Sequence, residues 1–255
     1  VKYLNITIGW HRLSVHYQNA NKEVIEKIKK MFPFKESKKR NKYLITIVFT
    51  KPERGFEIKI NRMSSIFMHG NTAKLYWKNV RAFPTLYRAL YIFSQYVHLK
   101  NKSFLIHSAG LKKDNYGYIF VGHSGSGKTT IAQKMPKENL LNDEAVAIKK
   151  SKNHFYIKGT PFGTYYSNSL KPVRLKYMFL LTPSTNTSIA KINYPSSLSK
   201  FLVHIPFLYH FTIDLRKNAF FLLSELCKSV YVFHARLTME ANIKKIIKMV
   251  KMVSE

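Results

Sequence analysis

The stretch Tyr118-Ile119-Phe120-Val121-Gly122-His123-Ser124-Gly125-Ser126-Gly127-Lys128-Thr129-Thr130 decides how this chain is read. Its first four residues are apolar and predict a short strand, and a helix is expected from about Thr129 to Met135. Between them, residues 122–129 match G-x-x-x-x-G-K-[ST] at every fixed position. Gly122, Gly125 and Gly127 let the backbone curl so that successive N–H groups, with Ser124, Ser126 and Thr130 in the same segment, face one anion. The helix start adds partial positive charge beneath it. In this pattern Lys128 reaches the β- and γ-phosphates of a nucleotide, and Thr129 offers a hydroxyl to Mg²⁺, which prefers oxygen ligands. His123 occupies a variable position and takes no role. An accidental strand–turn–helix junction is the competing reading, and the flanking strand and helix weigh against it.

A nucleotide site also needs a carboxylate. Leu140-Leu141-Asn142-Asp143-Glu144-Ala145-Val146-Ala147-Ile148 supplies an adjacent pair in a chain with only 13 acidic residues. Asp143 is positioned to take a proton from an acceptor hydroxyl and Glu144 to help hold Mg²⁺. A solvated turn pair is the alternative, and the residues alone leave both open. His107 ends the strand before the loop, within Ile106-His107-Ser108-Ala109. A lone His is more often a structural hydrogen-bonder than a catalyst. Gly159-Thr160-Pro161-Phe162-Gly163 is a second turn-rich loop, read as a plain connection. No G-x-S-x-G elbow, H-E-x-x-H or Cys/His cluster supports a hydrolase triad or another catalytic metal.

Working outward, the surrounding pattern predicts an α/β fold with a mixed sheet around the loop, preceded by a smaller α+β region. In the first hundred residues, a weakly alternating segment at 3–9 precedes a short helix at 22–32. The helix carries Val24, Ile25, Ile28, Met31 and Phe32 at helical spacing. Leu44–Phe49 reads as a continuous buried strand, and 55–60 as a half-exposed one. Strands at 65–68 and 73–77 flank a His69-Gly70-Asn71 turn. Pro84 opens a helix with Leu86, Ala89, Leu90, Phe93 and Val97 on one face. Beyond residue 100, Phe104–Ile106 is a strand, Lys112–Asn115 a turn, and Tyr177–Leu181 a buried strand. Ser196–His204 and Asn218–Cys227 read as helices and Val230–Phe233 as a strand. A last helix aligns Ile243, Ile246, Ile247, Val250 and Val253. The expected domains are 1–100 and 101–255.

Composition bounds the rest. The chain has 255 residues, 45% of them hydrophobic, enough for a buried core without disulfide or metal staples. Its single cysteine, Cys227, excludes an internal disulfide and a cysteine-based zinc site. No apolar run approaches the ~20 residues of a membrane span, and the start lacks a secretory pattern, so a cytoplasmic location is expected. The charge is +30, from 43 basic against 13 acidic residues. It draws anions of any kind, although the abundance of Lys, Asn, Ile, Tyr and Phe also fits the bias of an A/T-rich genome.

The segments FLIHSAGLKKDNYGYIFVGHSGSGKTTIAQKM, LLNDEAVAI and GTPFG, in this order, resemble the kinase domain of HPr kinase/phosphorylase and its wider set of HPr-kinase-like proteins. The similarity covers roughly residues 100–250. It implies a fold shared with phosphoenolpyruvate carboxykinase. It matches Lys128 to the phosphate-binding lysine, Thr129 to the metal-binding hydroxyl, Asp143 to the general base and His107 to the active-site histidine. Glu144 falls where that family usually has Asp. Two departures stand out: Thr129-Thr130 replaces the usual Ser-Glu, and no clear match to the phosphorylase signature segment is found. The resemblance therefore implies an ATP- and Mg²⁺-dependent kinase acting on a hydroxyl acceptor, a peptide or protein serine or a small alcohol. It also implies homo-oligomers, since HPr kinases form hexamers. The alternative is a nucleotide-gated regulatory module contacting nucleic acid or another anionic partner, with aromatics beside basic residues, as in Tyr76-Trp77-Lys78 and Tyr87-Arg88, compatible with base stacking and equally with a buried helix or strand face. A simple NTPase is the third reading.

Overall fold

The computed structural model describes residues 3–16, 22–48, 52–77, 83–165, 171–238, 240 and 246–250. Phe49, Lys78, Ile243 and Val253, and the side chain of Val24, lie outside this description. The fold is α/β with two mixed sheets, and the chain divides into two compact units, Val1–Asn101 and Lys102–Glu255.

The first unit holds a seven-stranded sheet and two helices. In chain order these are β1 (Tyr3–Ile8), β2 (His11–His16), α1 (Lys22–Met31), β3 (Phe34–Ser37), β4 (Tyr43–Val48), β5 (Phe56–Asn61), β6 (Ser64–His69), β7 (Thr72–Trp77) and α2 (Phe83–Lys100). The strands run in the order β3-β1-β2-β4-β7-β6-β5, parallel at β2/β4 and β4/β7 and antiparallel elsewhere. α2 is apolar on the face that meets the sheet, with Leu86, Ala89, Leu90, Phe93 and Val97 all buried. One reading needs correction. β4 is not buried throughout, because Tyr43, Ile45 and Ile47 point inward while Leu44, Thr46 and Val48 are half-exposed. Its continuous β-branched run hides a one-sided strand.

The second unit carries the glycine loop. Its elements are β8 (Ser103–His107), β9 (Ala109–Lys113), β10 (Tyr116–Val121), α3 (Lys128–Gln133), β11 (Leu140–Asn142), β12 (Ala145–Ser151), β13 (His154–Gly159), β14 (Val173–Pro183), β15 (Ser188–Lys191), α4 (Ser196–Leu202), α5 (Ile213–Ser229) and β16 (Tyr231–Leu237). A further helical stretch spans 246–250. The strand order is β11-β9-β10-β14-β13-β12-β8, with β16 added on β14 and β15 on β16. β14 runs parallel to β10 on one edge and to β16 on the other, while its first residues pair with β13.

Two aromatic rows cross these three central strands. Tyr118, Tyr177 and Tyr231 stand in register, and so do Phe120, Phe179 and Phe233. Phe120 and Phe179 stack with centroids 4.7 Å apart, and Phe179 and Phe233 at 5.6 Å. Ile131, Ala132 and Met135 from the α3 segment, with Ile246, Ile247 and Val250, close over them as one buried cluster. The core therefore anchors both ends of the glycine loop.

Among the described residues, seven strands depart from the expected pattern. Lys112 and Lys113 belong to β9, and only Asp114-Asn115 turn, both with positive φ. β2, β3, β11, β12, β13 and β15 had no predicted counterpart.

Candidate functional site

The loop that joins β10 to α3 is built by exclusion of side chains. A Cβ on Gly122 would lie 2.9 Å from the Leu181 carbonyl oxygen of β14 and 2.8 Å from Ser126 Cβ. Only glycine fits there. The turn then passes through positive φ at Gly125 and Gly127. It brings Lys128 back over its own loop. Lys128 Nζ donates to the carbonyls of Gly122, at 2.7 Å, and His123, at 3.0 Å. Lys128 is buried, and that burial lowers its pKa, opposed by the charge of Glu144. Ser126 Oγ is buried with no hydrogen-bond partner among the described residues. A buried hydroxyl without a partner is costly unless something else supplies one. Ser124, Thr129 and Thr130 are exposed.

The acidic pair sits between β11 and β12. Asn142, fully buried, organises it. Its side-chain oxygen accepts from the backbone N–H groups of Glu144, at 2.6 Å, and Ala145, while its amide donates to the carbonyls of Thr160, at 2.7 Å, and Phe162. Thr160 Oγ1 donates in turn to the Ala145 carbonyl at 2.7 Å. The Gly159–Gly163 loop is thereby stitched to the acidic pair and is more than a connection. Asp143 Oδ1 accepts from the N–H groups of Thr164, at 3.1 Å, and Tyr165, at 3.0 Å. Burial raises the Asp143 pKa, and these backbone donors only partly offset it. Gly163, at φ 109°, passes so close that a Cβ there would run into Asp143 Oδ1 and come within 2.7 Å of Glu144 Cβ.

His107 joins this group from the end of β8. Its Nδ1 lies 3.0 Å from the Glu144 carbonyl oxygen and 3.2 Å from Glu144 Oε1. Both are acceptors, which assigns a proton to Nδ1 and turns Nε2 away from them. The His107 hydrogen bond, helped by the charges of His107 and Lys128 and opposed by burial, holds the Glu144 carboxyl below its ordinary value. The Glu144 side chain remains 41% exposed, so its carboxylate is both ionised at neutral pH and reachable.

The fold thus brings His107, Lys128, Asp143 and Glu144 into one group. It does not link Thr129 to the acids: among the described residues no hydrogen bond joins Thr129 to Glu144. Nor is there, among them, a group of three or more His, Cys, Asp or Glu side chains arranged to hold a metal. His204, beyond the end of α4, was not foreseen. Its carbonyl accepts the His107 N–H at 2.8 Å, and its ring lies 5.9 Å from that of His123. Burial, then the charges of His107, His123 and Lys128, push its imidazole down to about 4. Asn142 was also missed as an organiser. Only its place beside the acidic pair hinted at it.

No protein-family model matches this chain, and no curated protein matches it. Among the described residues no helix is long and apolar enough to cross a membrane.

Proposed function

We propose that the chain is an ATP-dependent kinase of the HPr-kinase-like kind, transferring a γ-phosphoryl group to a hydroxyl acceptor. One observation carries the reading: the buried Lys128 ammonium, folded over a loop in which a side chain at Gly122 would clash, interacts electrostatically with Glu144, which in turn meets His107 and Asp143. The loop amides, Lys128 and the unpartnered Ser126 hydroxyl would take the nucleotide phosphates. Thr129 and Glu144 fit a hard cation as oxygen donors, with phosphate and water completing its shell. Mg²⁺ bound there would neutralise charge on the transferring group.

The residues of the chain supply the rest. Asp143, its basicity increased by burial, accepts the proton of the acceptor hydroxyl. The acceptor oxygen bonds to the γ-phosphorus as the bond to the bridging β–γ oxygen breaks, and ADP leaves. Backbone bonds from Thr164 and Tyr165 fix Asp143 Oδ1, so orientation costs little at the moment of transfer. His107 holds Glu144 ionised and in place.

The test is transfer from γ-labelled ATP with Mg²⁺ to a panel of serine peptides, free serine and small alcohols. Label should move to a hydroxyl and vanish in Lys128→Ala. Asp143→Asn should keep ATP binding and lose about 100- to 10,000-fold in transfer. Full transfer by Asp143→Asn overturns its role as base. Binding without transfer to any acceptor would favour the nucleotide-gated module instead.

A further inference from the structure

The α5 helix is apolar on two sides. Leu215, Ala219, Leu223 and Leu226 face inward and are buried. Ile213, Phe220 and Phe221 are exposed, Ile213 by 58% and Phe221 by 63%. With Arg216 and Lys217 they form an i, i+3, i+4, i+7, i+8 stripe. This stripe, together with Leu202 at the end of α4 and Leu208 of the following 3-10 turn, lines a groove of about 370 Å³. Side chains this large and apolar are not left in water without cost, and a contiguous exposed patch marks an interaction surface.

Charge narrows the occupant. Among the described residues, the charged ones lining the groove are the cations Arg216 and Lys217, with no carboxylate beside them. A second copy of the chain would bring the same two cations, and a net +30, against them. The groove is shallow and open, but its apolar side chains come from two segments, Leu202 and Leu208 on one side and the α5 stripe on the other, so a row of protruding side chains fits between them. We propose that this face docks an acidic amphipathic helix of a partner protein. The partner's apolar side chains enter between Leu202, Leu208, Ile213 and Phe221, and its carboxylates pair with Arg216 and Lys217. The proposal is independent of the phosphoryl-transfer reading.

The test is fluorescence anisotropy of the full chain with a labelled synthetic helix of about 18 residues, long enough to fold in isolation. The peptide carries Leu and Phe at i, i+3, i+4, i+7 and Glu on the flanks. Binding should be saturable and weaken with salt. It should drop about tenfold or more in Phe221→Asp and, separately, in Arg216→Glu/Lys217→Glu. Both variants alter exposed positions and leave the buried face of α5 untouched. The proposal is overturned if the variants bind as the parent does, or if a peptide with Lys on its flanks binds equally well. It is also overturned if the parent chain self-associates in a way that Phe221→Asp abolishes. Failure of the peptide alongside capture by phosphatidylserine vesicles that Phe221→Asp abolishes would assign the face to a membrane surface.

Discussion

Asn142 uses both its acceptor sites and both its donors, and the acidic pair depends on it. Removing the side chain in Asn142→Ala would strand two N–H groups and two carbonyls in a fully buried place. A loss of about 3 kcal/mol or more is expected in urea unfolding. An unchanged midpoint would mean that water or loop rearrangement replaces these bonds. His204 makes a second residue-scale prediction. Its folded value, about 4, lies below its unfolded value of 6.5. The unfolded chain therefore takes up a proton that the folded chain refuses. The stability it contributes is full above pH 6.5 and is lost as pH falls toward 4, by up to about 3 kcal/mol. His204→Gln should flatten the stability profile in that window, measured by denaturant unfolding at stepped pH. A slope identical to the parent's would assign the acid sensitivity to other groups. Neither residue was legible as functional. Lys128 stands out by its motif and the acidic pair by adjacency and spacing, His107 only through the family resemblance, whereas Asn142 and His204 matter through partners 18 to 20 and 97 positions away respectively.

At the scale of elements, the sequence is clearest where one face is apolar and both ends are marked. α2 is such a case: Pro84 opens it and its stripe is unbroken. The strand–loop–helix segment is another, since strand, glycines and helix follow directly between Tyr116 and Gln133. The strands that escaped notice lack those cues. β9 carries Gly110, Lys112 and Lys113, and β13 mixes buried Phe155 and Ile157 with His154, Tyr156 and Lys158. β15, Ser188–Lys191, has no apolar pattern to read. Their strand character comes from pairing with distant neighbours, such as β12 with β8 and β15 with β16. The aromatic rows were equally invisible, because register between β10, β14 and β16 sets them. Phe179 is central to one row and fully buried. Phe179→Ala should cost about 3–5 kcal/mol, and Phe179→Leu less, by thermal or urea unfolding. Since β10 and β14 flank the glycine loop, nucleotide affinity should fall with stability in the alanine variant. Equal stability of both variants with the parent would show that the row does not hold the core.

At the scale of the whole molecule, charge dominates. The 43 basic side chains outnumber the 13 acidic ones by 30, so most of the positive charge is not neutralised by carboxylates. The pairs that do form, such as Lys27–Glu23 and Lys150–Glu225, are exposed and contribute little. Net repulsion should therefore outweigh net attraction in the folded state, where the charges are closest together. Raising the ionic strength from about 0.01 M to 0.15 M shortens the screening length from about 30 Å to 8 Å. The melting temperature should rise with added sodium chloride, by about 2–4 °C for each kcal/mol of repulsion relieved. Most proteins with balanced charge lack such a gain, because salt screens attractions as well. Polyanions should produce the same rise at far lower concentration, since they deliver many negative charges at once. A melting temperature that falls with salt would show that the few ion pairs outweigh the repulsion. The excess of lysine would then be tolerated without an electrostatic penalty. A rise with salt would instead mean that the chain keeps its charge at a cost in stability.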